Sequence, residues 1–107
     1  MLHVLIIEPH AEVAAAFEQA LALASCLPVV RSHVESLGDL GVTPALIVTR
    51  IGHADLSHLP PTRPPIVAIA SSDADVAEAS RLRCEVVLKG PGEIRRLVDA
   101  VRSLALV

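Results

Sequence analysis

Five short apolar runs rich in β-branched residues recur along the chain, separated by stretches that are helical in period or too proline-rich to be. Leu2–Ile7 is the first run, closed by Glu8-Pro9. Ala11–Ala24 follows, with Val13, Phe17 and Leu21 at four-residue steps, which predicts an amphipathic helix facing a core. Pro28–Ser32 predicts a second, shorter strand near a sheet edge, and Val34–Leu40 leaves room for only a brief helix before Gly41 and Pro44. The third run, Ala45–Val48, continues into Thr49 and Arg50. Beyond it stand ADLSHL and PPTRPP. Four prolines in six residues cannot sit inside a helix, because each lacks an N–H and clashes with the preceding turn. A third helix is therefore one or two turns at most. Pro65–Ala70 predicts a fourth strand, and Asp73–Leu82 a fourth helix capped by Ser72 or Asp73. Glu85–Leu88 predicts the fifth strand. Glu93–Leu104 predicts a final helix with Ile94, Leu97, Val98, Val101 and Leu104 as its apolar stripe.

Near-continuous apolar strands alternating with helices imply an α/β domain, a parallel sheet covered on both faces. In such a sheet the functional crevice lies beyond the carboxyl ends of the strands. Topology then brings three polar residues to one edge: Glu8 after the first strand, Arg50 at the end of the third, and Lys89 after the fifth. Ala70 ends the fourth. Arg50 demands an explanation, because a guanidinium is seldom buried without a partner.

Composition narrows the class. The 107 residues allow one domain, 1–107, and 52% apolar content with a mean hydropathy of +0.57 argues against disorder. Phe17 is the only aromatic, so the platforms that stack single-stranded bases are missing. Charge is uneven: residues 1–49 carry five acids against Arg31, while six of the nine basic residues lie between Arg81 and Arg102. Glu85, Glu93 and Asp99 interleave with them, which favours a solvated or partner-facing surface over a nucleic-acid one. Cys26 and Cys84 have no metal-like spacing. No signal-peptide pattern opens the chain, and no apolar run reaches the ~18 residues of a membrane span. The expectation is a cytoplasmic chain with two reduced thiols.

The segments HVLIIEPH, PALIVTRIG, PPIVAIASSD and VVLKGPGEIRRLVDAV together resemble the receiver domain of bacterial two-component response regulators. The resemblance implies a doubly wound flavodoxin-like (CheY-like) three-layer fold. Its five-stranded parallel sheet would have order 2-1-3-4-5, here with shortened second and third helices. It also implies a site. The acidic pair that helps bind Mg²⁺ in the family corresponds to Glu8 and Pro9, so one carboxylate is lost. The phosphoacceptor aspartate corresponds to Arg50, the switch Thr or Ser to Ala70, and the active-site lysine to Lys89. Gly90 replaces the proline that usually follows that lysine.

Chemistry decides what these departures mean. Phosphoryl transfer to an acyl acceptor needs a carboxylate nucleophile and a hard cation held by oxygen ligands. Arg50 stays protonated, offers no nucleophile, and brings positive charge to the cation's place. The reading is a degenerate receiver without a metal or other cofactor. Arg50 then either pairs bidentately with Glu8 across the neighbouring strand end or snorkels to solvent. A register shifted by one would put Thr49 at the site instead.

Other chemistry is weaker. His10 and His53 could stand beside Glu8 as a metal site, but Arg50 opposes the charge and no ligand spacing supports it. Ser71 and Ser72 lack nucleophile-elbow glycines and read as helix-capping residues. The turn Lys89–Glu93 lacks the spacing and ending of a phosphate loop.

The sequence thus points to a non-enzymatic signalling module that works by phosphorylation-independent contact with a protein partner, a signalling protein. The rival is a small flavodoxin-like ligand- or metal-binding domain, or enzyme, using the same crevice. Receivers commonly associate through the fourth helix, fifth strand and fifth helix. Here Asp73, Asp75 and Glu78 on one helix could meet Arg95, Arg96 and Arg102 on the other across a twofold axis. Ordinary solvated charge is the alternative.

Overall fold

The computed structural model describes residues 2–32, 41, 43–51, 63–89 and 93–105. Its elements are β1 (Leu2–Ile7), α1 (Ala11–Leu23), β2 (Cys26–Arg31), β3 (Leu46–Arg50), β4 (Ile66–Ala70), α2 (Asp73–Arg81), β5 (Val86–Lys89) and α3 (Glu93–Ala105). All strand pairs are parallel, and the five-stranded sheet has the order β2-β1-β3-β4-β5. This is the expected doubly wound order. The two short helices expected near Val34–Leu40 and after His53 lie outside the described residues.

Side-chain alternation divides the core in two. Val4 and Ile6 of β1 and Leu46 and Val48 of β3 pack with Phe17 and Leu21 of α1 and Leu97 and Val101 of α3. Leu5, Ile7, Ile47, Ile66 and Ala68 face the other way, toward Ala79 of α2. The central strands are apolar on both faces because helices cover both, as a parallel sheet requires.

The second strand begins two residues earlier than expected, at Cys26. Pro28 sits within it, which an edge strand tolerates when the missing N–H would face outward. It does: the Arg31 carbonyl accepts from Glu8 N–H at 3.0 Å, so Arg31, Val29 and Leu27 address β1, and Pro28 and Val30 turn away. The outward Val30 carbonyl is taken by Arg31 Nη1 at 2.7 Å. Both devices blunt this edge against further strand pairing.

Helix ends follow local chemistry. Ser72 caps α2, its hydroxyl accepting from Asp75 N–H at 3.2 Å. At the other end Arg83 adopts φ 59°, and the N–H groups of Arg83 and Cys84 bond back to Ser80 and Ala79. That is a Schellman stop with arginine where glycine is usual. In α3, Leu97 and Val101 are buried as expected, but Ile94 is 41% exposed. It stands in the first turn of the helix. No helix among the described residues is long and apolar enough to cross a membrane.

Candidate functional site

Parallel register builds the site. Ile7 lies beside Thr49, so the next residues along, Glu8 and Arg50, emerge side by side at the carboxyl edge. Both continue the face of Val4, Ile6, Leu46 and Val48. Arg50 Nε donates to Glu8 Oε2 at 2.8 Å, with the Glu8 side chain 1% exposed and Arg50 13%. Of the two readings open for Arg50, the ion pair is the one adopted. Thr49 points to the opposite face, buried, and its hydroxyl has no partner among the described residues.

Two further partners complete the arrangement. Glu8 Oε1 accepts from His10 Nδ1 at 2.9 Å and from His10 N–H at 3.2 Å. Arg50 Nη1 donates to Ser71 Oγ at 3.1 Å. Arg50 therefore ties β1 to the turn after β4. Burial pushes the Glu8 carboxyl up, but the hydrogen bonds from His10 and Arg50 and the guanidinium charge outweigh it, leaving the group below its ordinary range. A carboxylate so committed is acceptor-only and already served by two residues. The signal for Ser71 was its position one step past Ala70, but its reading as a helix cap hid its role as a partner for Arg50.

Lys89 does not join this pair. It follows Val87, which packs on the α2 side of the sheet, so its side chain emerges on the opposite face from Glu8 and Arg50. Its Nζ lies 2.5 Å from Asp73 Oδ1 at the start of α2, and this cation lowers the Asp73 carboxyl. The expected convergence of Glu8, Arg50 and Lys89 is thus replaced by two separate pairs, because strand alternation assigns the lysine to the other face. Pro9 is exposed and Ala70 is buried. A cavity of about 280 Å³ adjoins Glu8, walled by Pro9, Ala14, Ala15, Glu18 and Val30.

The residues expected at an interface are partly engaged within the chain. Asp73 holds Lys89, Asp75 Oδ2 accepts from Ser71 N–H at 2.9 Å, and Glu78 pairs with Arg81. Arg96 donates to the Lys89 carbonyl, while Arg95 and Arg102 are exposed on α3. Among the described residues no three His, Cys, Asp or Glu side chains gather as metal ligands, and His53 lies outside them.

No protein-family model matches the chain, and no curated protein does. Solved structures do. The chain is similar to the signal receiver domain of a DNA-binding response regulator from Colwellia psychrerythraea, with a TM-score of 0.79 at 18% identity over 100% of both chains. The BeF3-activated DrrB receiver domain gives 0.74 at 9% identity, over 100% of this chain and 99% of that one. The response regulatory domain of mrkE from Klebsiella pneumoniae gives 0.71 at 15% identity, over 98% and 96%. The fold is that of the response-regulator receiver domains, the CheY-like form of the flavodoxin-like sheet.

Proposed function

We propose that the chain, as a single unit over residues 1–107, is a degenerate receiver of two-component signalling that works by protein contact and takes no phosphoryl group. The observation that carries this reading is the Glu8–Arg50 pair. The guanidinium stands where the resemblance puts the phosphoacceptor, and it occupies Glu8, the carboxylate the resemblance leaves for a cation there. Lys89, the remaining match to the family's site, is turned to Asp73. Ala70 carries no hydroxyl, so any association is constitutive. The same reading makes the chain a cytoplasmic, non-enzymatic module. It pairs with a second copy by the surface of α2, β5 and α3, and binds a signalling protein.

Intact mass after treatment with acetyl phosphate and Mg²⁺ tests the central claim. The expected result is an unmodified chain. A gain of one phosphoryl group, labile as acyl phosphates are, overturns it. Sedimentation of the wild type against Arg95→Glu with Arg96→Glu tests whether the helix charges hold two copies together.

A further inference from the structure

The cavity beside Glu8 has no part in the ion pair or in the contact surface of α2, β5 and α3. It lies between α1 and the end of β2, with the turn after β1 at its inner end. Its volume of about 280 Å³ is at the lower limit of ligand pockets, which start near ~300 Å³, so it has room for a small metabolite and not for a nucleotide.

The sequence makes this hollow and charges its walls. Ala11, Ala14, Ala15 and Glu18 follow the i, i+3, i+4, i+7 spacing of one helix face, and all of them line the cavity. Val30 meets them from β2, on the side of the sheet that α1 covers. The alanine methyls are too short to close the gap between helix and strand, which leaves an apolar floor. Glu18 is exposed at the helix wall and has no partner among the described residues. Arg31 stands at the strand wall, where Nη1 rests on the Val30 carbonyl at 2.7 Å and no described carboxylate pairs with it. A carboxylate and a guanidinium thus line one cavity without meeting each other. Glu8, the other charged group there, is already committed to His10 and Arg50.

We propose that this cavity binds a free α-amino acid with a branched aliphatic side chain. The ammonium goes to Glu18, the carboxylate to Arg31, and the side chain lies on Ala14, Ala15 and Val30. Opposite charges held apart over an apolar floor complement a zwitterion with an aliphatic body. A diamine would set a like charge against Arg31, and a dicarboxylate would do the same at Glu18. No aromatic ring lines the cavity, so nothing there favours a planar side chain. Arg31 can serve ligand and backbone together, because a guanidinium that gives one N–H to a carbonyl keeps others for a carboxylate. The site is independent of the receiver reading: it uses neither the phosphoacceptor position nor the surface assigned to a protein partner.

Isothermal titration calorimetry of the whole chain with L-leucine, L-isoleucine and L-valine tests the proposal. At least one should bind with a Kd of about a millimolar or tighter. For leucine, 3-methylbutylamine lacks the carboxylate and 4-methylpentanoate lacks the ammonium. Each should bind roughly tenfold more weakly than leucine, or worse. Two variants then assign the charges. Glu18→Gln should abolish the preference for leucine over 4-methylpentanoate, and Arg31→Gln the preference for leucine over 3-methylbutylamine. Ala15→Leu should fill the hollow and remove binding while far-ultraviolet circular dichroism stays that of the wild type. It also replaces Arg31→Gln should that variant aggregate through the uncovered Val30 carbonyl. No binding of any of the three amino acids up to about 10 mM overturns the proposal. So does leucine bound no better than its two half-charged analogues, or binding that survives Ala15→Leu. An unmodified chain after acetyl phosphate leaves these outcomes unchanged, so the two readings fail separately.

Discussion

Two ion pairs stand along one edge of this sheet, and contact distance hardly separates them: 2.8 Å for Arg50 with Glu8 and 2.5 Å for Lys89 with Asp73. Their surroundings separate them completely. Glu8 is 1% exposed, whereas the Asp73 side chain is 96% exposed. A buried charge without its partner is severely destabilising, while an exposed pair is screened and its long side chains lose rotamer freedom on forming it. The buried pair should therefore be structural and the exposed one nearly dispensable, whatever their separations.

The sharpest way to break this contrast is Glu8→Ala. Leaving the mostly buried guanidinium of Arg50 without its carboxylate should cost on the order of 3 kcal/mol in urea unfolding. Arg50→Ala in the same chain should recover much of the loss. A double-mutant cycle with no coupling would mean that Arg50 is in effect solvated, and the two pairs would then be alike.

The pH dependence comes next in size. Because the folded chain holds Glu8 below its ordinary value, its contribution is complete above the unfolded carboxyl's titration range and is lost as pH falls through the folded pKa. Wild type should thus lose stability as pH falls below the ordinary glutamate range, by more than Glu8→Gln does. Equal losses in the two proteins would remove the buried pair from the account of acid sensitivity. Asp73 is also lowered, by Lys89, but its full exposure should make any effect vanish in moderate salt.

Two smaller effects sharpen the comparison. Ser71→Ala removes the second anchor of Arg50, a hydrogen bond at the surface worth roughly 0.5–1 kcal/mol by thermal or urea unfolding. Lys89→Ala should leave the unfolding midpoint unchanged. A clear loss there would show that the lysine supports α2 in a way that its exposure conceals.

Much of this was legible in the sequence, for identifiable reasons. Strands covered on both sides must be apolar throughout, so LHVLII, LIVTR and IVAIA stand out without any partner being known. That Glu8 and Arg50 come to one edge was legible from topology, since adjacent strand ends bring their next residues together, but topology left open whether Arg50 pairs or snorkels and whether Thr49 takes its place. What failed depended on parity or on edges. The side on which Lys89 emerges is set by the alternation of β5, a strand of only four residues whose start cannot be read to within one. Pro28 hid the first two residues of β2, because a proline reads as a boundary until the strand is known to lie at an edge. Ile94 fits the apolar period of α3 yet is exposed, because periodicity gives the face of a helix and not how much of its length is covered.

The guarded edge at Pro28 limits how far the sheet can grow, as a chain stopper limits a polymer. A monomer with two reactive ends grows into a filament, whereas one with a single reactive end can only couple once and stop. With Val30 covered by Arg31 and the N–H at position 28 missing, β2 acts as a permanently terminated end. Any strand added at the far edge of the sheet would therefore find no second edge to propagate from, which disfavours a fibre.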